Sequence, residues 1–237
     1  LNYIKAKVVG TKDTYVLYAT TRPELLFGCV GINVEDEGKY VKLKVGDEYW
    51  ITGANTYEEK FKDFDYVVVE ELYGKNVIGE KVIIPLSNVE VELTHDISVK
   101  ADYGTGIVYY CTYGGMDCIE WMARRPHISP IKVIDEKGKL NEKNGVYCGL
   151  IASTEGRKKI IEDLETESHL VKKESIEHVV NVGERSGAEV EYIISKQWYI
   201  KYLDKKEYLW EKAQQLKWYP DFMKHRLENW IKGLNWD

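Results

Sequence analysis

Short runs rich in Val, Ile, Tyr and Thr dominate the first half of the chain, and Gly, Asn, Asp or Pro separates most of them. Such runs are typical of β-strands, and the residues between them are typical of turns. Many short strands at close spacing favour a closed or nearly closed barrel over an open parallel sheet. The predicted strands are residues 4–9, 15–19, 30–34, 40–45, 49–52, 66–71, 81–84, 89–93 and 106–111, with a further strand at 131–134.

Hydrophobic residues at helical spacing follow the strands and indicate a different architecture near the end of the chain. We predict an α+β fold: a β-barrel-like domain with peripheral helices over residues 1–192, and a small helical part over 193–237. The polar segment 172–192 is predicted to connect them. The predicted helices are residues 56–62, 117–125, 155–167, 204–215 and 220–232.

The distribution of charge separates the end of the chain from the rest. The whole chain carries −6, whereas residues 195–237 hold nine Lys or Arg and six Asp or Glu, a net charge of +3. An acidic protein does not grip nucleic acid over its whole surface, but a basic end fits contact with RNA at one place. An ordinary solvated helical surface is the alternative. The candidate RNA-binding side chains are Lys196, Lys201, Lys205 and Lys206.

Five of the seven tryptophans lie in the same last part of the chain, and we expect such an aromatic stripe to be buried as core. The four cysteines are widely spaced, which suits buried thiols in a reducing cytoplasm better than a disulfide framework. No pair of cysteines has zinc-ligand spacing, so we expect no metal. No apolar run approaches a membrane span, and Leu1 leads us to expect that the chain begins inside a longer one.

Two adjacent hydroxyls, on Thr20 and Thr21, stand where a predicted strand gives way to the turn Arg22, Pro23 and Glu24. They offer donors and acceptors beside backbone amides at the end of a sheet. Loops on a rigid scaffold are frequent binding sites, although threonines in a turn also satisfy local backbone groups.

A second motif begins at Gly104, Thr105 and Gly106 and continues through a strand and a glycine-bearing loop to Asp117, at the predicted start of a helix. Glycine permits close approach of the backbone to a ligand. An aspartate at a helix start either pairs with a cationic group or caps the helix.

These two motifs, followed in order by residues 195–199, 218–220, 228–230 and 234–237, resemble the editing (CP1) domain of class I aminoacyl-tRNA synthetases. The last segments are most similar to the archaeal type of valyl-tRNA synthetase. The resemblance implies a carboxylic ester hydrolase without a cofactor, which removes a mischarged amino acid, here threonine, from the 3' end of tRNA for valine. It also implies attachment to the remainder of a synthetase chain, with residues 193–237 returning toward the catalytic core.

The resemblance assigns roles to residues of both motifs, and in the family the aspartate holds the amino group of the substrate. The sequence departs from the pattern in one loop, because Gly114, Gly115 and Met116 precede Asp117 without an earlier acid and the loop is about one residue short. The implied catalytic residues are Thr20, Thr21 and Asp117, and the implied substrate-binding residues are Arg22, Pro23, Glu24, Gly104, Thr105, Gly106, Thr112, Tyr113 and Gly114.

Other functions are left open by the sequence. An isoleucyl or leucyl editing domain shares the fold, although the isoleucyl turn usually carries tryptophan where this chain has Arg22. A non-catalytic tRNA-binding module fits the shortened loop, and a hydrolase or sensor of free amino acids is a third class. His95 and His127 stand in no nucleophile or metal motif, so a catalytic triad or a metallohydrolase is not favoured.

Overall fold

A computed structural model describes residues 1–177 and 179–235 of the chain. Trp236 and Asp237, which belong to the last motif, lie outside the described residues. The chain divides into two compact units, one of residues 1–193 and one that begins at Ile194. The first unit contains the sheet and the second contains two helices. Each unit is described by itself below.

A mixed sheet forms the first unit and has ten strands among the residues described. Their order is β6-β4-β5-β2-β1-β7-β8-β3-β9, and β10 also pairs with β1. The pairs β2–β5 and β3–β8 are parallel, and the others are antiparallel. The strands are β1 (Asn2–Val8), β2 (Thr14–Thr20), β3 (Cys29–Val34), β4 (Lys39–Val45), β5 (Glu48–Gly53), β6 (Val67–Tyr73), β7 (Lys81–Ile83), β8 (Glu90–His95), β9 (Val108–Cys111) and β10 (Leu170–Lys173).

Strand β8 passes from one part of the sheet to another. Residues 90–92 pair with β7, whereas residues 93–95 pair with β3. Strands β6 and β9 stand at the two ends of the order and do not pair with each other in the described part of the chain. An α+β fold is therefore present, but the closed or nearly closed barrel predicted from the strand spacing is not confirmed.

Both faces of the central strands are covered by apolar side chains. Along β1, Ile4 and Ala6 join the main hydrophobic core, whereas Tyr3 beside them joins a second cluster that includes Trp50 and Phe61. Because neighbouring side chains of a strand point to opposite faces, this alternation places one cluster on each side of the sheet. Tyr3 and Phe61 pack edge to face with 5.9 Å between ring centroids.

Helices and short turns of helix lie between and after the strands. A 3-10 turn, Pro23–Gly28, joins β2 to β3, and its proline is at the start of the turn, where the missing N–H costs nothing. A π-turn, Ala152–Gly156, leads directly into the third α-helix. The α-helices are α1 (Tyr57–Lys60), α2 (Met116–Ala123), α3 (Arg157–Thr166), α4 (Lys206–Gln215) and α5 (Met223–Gly233).

One predicted segment is wrong. Residues 131–134 form only a single bridge, between Ile134 and Leu140, because side chains take up neighbouring backbone groups. The Asn141 amide donates to the carbonyl of Lys132 at 2.7 Å, and the Asn144 amide donates to that of Val133 at 2.7 Å. Of the predicted connector 172–192, only the first two residues lie in strand β10, which pairs with β1 and is too short to show a periodic pattern.

Burial also differs from the prediction for two residue types. Cys29 and Cys111 are buried, but Cys148 is exposed. In the second unit, Trp198 is fully exposed and Trp230 is 58% exposed, so the expected aromatic core is not formed by these side chains. Two short helices have little volume between them in which to bury large rings. No helix in the described part of the chain is long and apolar enough to span a membrane.

Candidate functional site

The two threonines at the end of β2 differ in their surroundings. Thr20 is buried, and its hydroxyl oxygen accepts a hydrogen bond from the Arg22 amide at 2.9 Å. Thr21 is half-buried, and its hydroxyl has no hydrogen-bond partner among the described residues. The free hydroxyl of the pair therefore belongs to Thr21, while that of Thr20 holds the turn.

Tyr109 of β9 holds the turn through two hydrogen bonds. The Thr20 hydroxyl donates to the Tyr109 oxygen at 3.3 Å, and the Tyr109 hydroxyl donates to the Arg22 carbonyl at 3.0 Å. Burial raises the pKa of the Tyr109 phenol well above its ordinary value, so the hydroxyl keeps its proton as a donor. The second motif, which includes strand β9, thus contacts the Thr20 turn of the first motif through Tyr109.

Arg22 ties the turn to the loop that precedes Asp117. Its Nη1 donates to the Gly114 carbonyl at 3.1 Å, its Nε to Glu24 at 3.0 Å and its Nη2 to Glu191 at 2.5 Å. Burial lowers the pKa of this guanidinium, but the carboxylates of Glu24 and Glu191 outweigh burial and the net direction is upward. Arg22 is therefore committed to protein contacts on three sides.

Glu24 lies at the centre of an ion-pair network. Its carboxylate is fully buried and accepts hydrogen bonds from Arg22 and from both Nε and Nη2 of Arg157, each at 3.0 Å. Arg157 also donates to Glu189 at 3.0 Å. A buried carboxylate needs such partners, since an unpaired charge in the interior is very costly. Pro23 is also buried, so the structure places Pro23 and Glu24 inside the turn.

The segment Gly104, Thr105 and Gly106 is held by the β4–β5 part of the sheet. The Gly53 amide donates to the Thr105 carbonyl at 2.7 Å, and the Thr56 hydroxyl donates to the Gly104 carbonyl at 2.7 Å. Gly106 has φ +71°, and a Cβ there would stand 2.8 Å from the carbonyl oxygen of Ala101, so only glycine fits.

The segment Gly104, Thr105 and Gly106 also accepts a side-chain hydrogen bond from strand β4. The Tyr40 hydroxyl donates to the Gly106 carbonyl at 2.7 Å. No hydrogen bond joins the three residues to the Thr20 turn or the Asp117 loop within residues 1–177 and 179–235. The segment instead leads directly into strand β9, which contains Tyr109.

Asp117 is the second residue of α2 and is exposed. The N-cap position is Gly115, so Asp117 does not cap the helix, and its carboxylate has no hydrogen-bond or ion-pair partner in the described chain. An acid in the first turn interacts favourably with the helix dipole. The carboxylate thus lies at the start of a helix and is open to a cationic group.

The loop between β9 and α2 is shaped by its neighbours. The Thr112 hydroxyl is buried and accepts from the Ile131 amide at 2.8 Å. Tyr113 takes a left-handed conformation with φ +58° and is half-buried. At Gly114 a Cβ would lie 2.3 Å from the Cys111 sulfur, so a side chain there would displace the loop.

The four candidate lysines lie in the second unit. Lys196, Lys201 and Lys205 are exposed, whereas Lys206 donates to the carbonyls of Lys232 and Leu234 at 2.9 and 3.0 Å and closes the end of α5. Carbonyls at a helix end attract cations. Lys206 also borders an open groove of about 370 Å³ between α4 and α5, which Trp210 and Ile231 line.

Residues that the sequence does not single out complete the site. Tyr109, Arg157, Glu189 and Glu191 all contact the Thr20 turn or its ion pairs, yet the sequence predicts α3 only as a packing helix and residues 172–192 only as a connector. The partners Glu24 and Arg157 are 133 residues apart, and neither belongs to a spaced motif. No group of three or more His, Cys, Asp or Glu side chains that could hold a metal occurs in the residues described.

Comparison with known proteins relates the whole chain to one kind of enzyme. No protein-family model matches. The valine–tRNA ligase of Thermoplasma volcanium is 37% identical over 239 residues, which cover 100% of this chain and 25% of that enzyme. The valine–tRNA ligase of Methanocaldococcus jannaschii is 36% identical over 237 residues, covering 100% of this chain and 23% of that enzyme. The chain spans about a quarter of the length of these curated relatives.

Solved structures resemble the fold at much lower identity. The crystal structure of GlLeuRS-CP1 superposes with a TM-score of 0.61 at 16% identity, covering 74% of this chain and 99% of that one. The editing domain of the P. knowlesi cytosolic leucyl-tRNA synthetase gives a TM-score of 0.56 at 13% identity, covering 71% and 94%. At such identities the likeness concerns the fold alone.

Proposed function

Because the chain belongs to the editing (CP1) domains of class I aminoacyl-tRNA synthetases, of the valyl type, we propose that it hydrolyses the ester of a mischarged aminoacyl-tRNA. The substrate is threonine attached to the terminal adenosine of tRNA for valine. Valine and threonine have nearly the same shape, and this pair is the standard example of an apolar pocket that cannot reject an added hydroxyl strongly. A second, hydrolytic site removes the error.

The hydrogen bond from Arg22 to the Gly114 carbonyl is the observation that carries the proposal. It joins the turn that bears Thr21 to the loop that leads to Asp117. Both of these side chains have a free polar group in the described structure, whereas their neighbours Thr20, Arg22 and Glu24 are engaged with the protein. Free polar groups next to a firmly held scaffold are what a binding site requires.

Asp117 binds the α-ammonium group that every aminoacyl ester presents. A charge-assisted hydrogen bond between carboxylate and ammonium is about twice as strong as a neutral one and fixes the position of the ester carbonyl. The first turn of α2 and the Arg22–Gly114 hydrogen bond hold the backbone that carries this carboxylate. Asp117 therefore orients the substrate and does not attack it.

Hydrolysis proceeds by attack of water on the ester carbonyl. The Thr21 hydroxyl donates to the oxygen on which negative charge develops, or to the attacking water, at the end of β2. The ester is already activated, so positioning and oxyanion stabilisation suffice and no covalent intermediate is needed. The products are free threonine and tRNA with an intact terminal ribose.

The partners follow from the same assignment. Residues 1–192 act as the editing domain, and residues 193–237 lead back toward the remainder of a cytoplasmic synthetase chain. The exposed Lys196, Lys201 and Lys205 contact the tRNA backbone. Phosphate contacts add affinity without reading sequence, so discrimination lies in the pocket.

The experiment is deacylation of threonyl-tRNA for valine by the 237-residue chain, followed as release of labelled threonine. Release well above the spontaneous rate supports the proposal. Retained tRNA binding without release would instead identify a non-catalytic module, which the short loop before Asp117 also fits. Equal hydrolysis of threonyl-tRNA and free threonyl esters would favour an enzyme that does not read tRNA.

A further inference from the structure

Two cysteine sulfurs lie close together, one on each side of the loop that leads to Asp117. Cys111 ends β9, Cys118 lies in the first turn of α2, and their sulfur atoms are 4.0 Å apart. Both are free thiols. A disulfide has its sulfurs about 2.05 Å apart, so closure needs only a small movement of side chains and loop.

The two thiols differ in reactivity. Cys118 is partly exposed, and the hydrogen bond from the Cys111 thiol, helped by backbone amides, lowers its pKa to about 7 against the effect of burial. Cys111 is buried, and its role as donor together with burial raises its pKa well above the ordinary value. Cys118 is therefore the thiolate that reacts first, and Cys111 is the thiol that follows.

We propose that Cys118 and Cys111 form a peroxide-sensitive modification site, in which oxidation closes a disulfide across the loop that leads to Asp117. The Cys118 thiolate attacks one oxygen of hydrogen peroxide, so that an S–O bond forms, the O–O bond breaks and hydroxide leaves. The sulfur of Cys111 then displaces the hydroxyl group of the Cys118 sulfenic acid, forming the S–S bond and releasing water. With hydrogen peroxide, two thiols and one peroxide give one disulfide and two waters.

Closing this bond moves the loop. Gly114 stands against both sulfurs, since a Cβ there would lie 2.3 Å from that of Cys111 and 3.4 Å from that of Cys118. The Gly114 carbonyl is the acceptor of Arg22, and Asp117 directly precedes Cys118. Oxidation therefore shifts the ammonium-binding carboxylate, and, resting on the proposed function, it lowers deacylation.

The chemical step is tested by treating the reduced chain with hydrogen peroxide and digesting it with trypsin. The peptide 101–124 contains Cys111 and Cys118 and no other cysteine. We expect it to lose two hydrogens, to resist alkylation and to recover both thiols with dithiothreitol. In Cys111→Ser, Cys118 accumulates as a sulfenic acid that dimedone traps, and Cys148→Ser behaves like the parent chain. The proposal is overturned if both thiols stay alkylatable at doses that oxidise the exposed Cys148.

The functional consequence is measured on the same samples. We expect the disulfide form to deacylate threonyl-tRNA at least tenfold more slowly, with recovery on reduction, and Cys111→Ser to lose this reversible inhibition. Unchanged activity in the disulfide form would overturn the coupling to Asp117. If even the reduced chain releases no threonine, the proposed function fails while the peptide analysis still decides the disulfide.

Discussion

Arg157 donates two hydrogen bonds to Glu24, from Nε to Oε2 and from Nη2 to Oε1, each 3.0 Å long. The pair joins the first turn of α3 to the turn that follows β2. Glu24 is fully buried and also accepts from Arg22, which holds the Gly114 carbonyl. Arg157 on α3 thus contacts Glu24, and Arg22 contacts both Glu24 and the loop that leads to Asp117. Helix α3 therefore supports the site without lining it.

Removal of Arg157 should therefore cost stability. Arg157→Ala leaves a buried carboxylate with one arginine, and the loss of charged hydrogen bonds lowers the free energy of unfolding by roughly 2 to 3 kcal/mol. Urea unfolding measures this value. Lys159→Ala is the matched control on α3, because it breaks only the exposed pair with Asp163 and costs much less. Equal losses in the two variants would show that Glu24 does not depend on Arg157.

Asp117→Ala should reduce deacylation without affecting the fold. The carboxylate has no hydrogen-bond or ion-pair partner in the described structure, so stability falls only by its interaction with the dipole of α2, about 0.3 to 1 kcal/mol. Loss of the charge-assisted hydrogen bond to the ammonium costs about 1.5 to 3 kcal/mol, or roughly 10-fold to 150-fold in rate. Single-turnover deacylation at saturating protein checks this. Glu120→Ala removes another exposed acid of α2 and keeps full activity; a similar loss in both variants would exclude a specific role for Asp117.

Asp96 should make stability depend on acid pH. Burial raises the pKa of this carboxyl, but hydrogen bonds from Ser98 and the guanidinium of Arg125 outweigh burial and lower it to about 2. Because the folded-state pKa lies below the ordinary aspartate value of 3.8, the folded chain binds fewer protons between these values. The stabilisation that ionised Asp96 gives to the folded chain is complete above about pH 4 to 5 and is lost as the pH falls toward about 2.

The test of Asp96 compares urea unfolding of the parent chain and Asp96→Asn. The parent should have the larger free energy of unfolding at about pH 5. The difference in free energy of unfolding between parent and variant should narrow by about 1 kcal/mol at about pH 3, since the variant lacks the titrating group. A difference that stays constant between the two pH values would contradict the assigned shift.

The exposed lysines of the second unit should control the salt dependence of tRNA binding. Changing Lys196, Lys201 and Lys205 to Glu should weaken binding and reduce the slope of log affinity against log salt by about 0.7 to 0.9 for each phosphate that is no longer neutralised. Filter binding at several salt concentrations measures the slope. The charge-matched control reverses Lys137, Lys143 and Lys158, exposed side chains of the first unit, and an equal change there would make the effect one of net charge alone.

Part of this fold and site could be predicted from the sequence. The run of residues 4–9, with Ile4, Val8 and Val9, indicates a strand, and Thr20 and Asp117 are recognisable within ordered motifs. The partner of Glu24 could not be predicted, because its ion pair with Arg157 depends on how β2 and α3 pack. The free hydroxyl of Thr21 and the engaged one of Thr20 differ only through the turn itself and Tyr109 on another strand. The number of strands suggests barrel closure but does not fix whether the end strands pair.

The central claim, hydrolysis directed at threonine on tRNA for valine, is tested most directly by the ratio of two rates. Single-turnover deacylation of threonyl-tRNA and of valyl-tRNA, with the same tRNA and saturating protein, removes differences in binding to the RNA. A polar group that pairs with the threonine hydroxyl is left unpaired by valine, at a cost of about 1 to 3 kcal/mol, so threonine should be released about 5-fold to 150-fold faster. Equal rates for the two esters, or release of neither above spontaneous hydrolysis, would contradict the account.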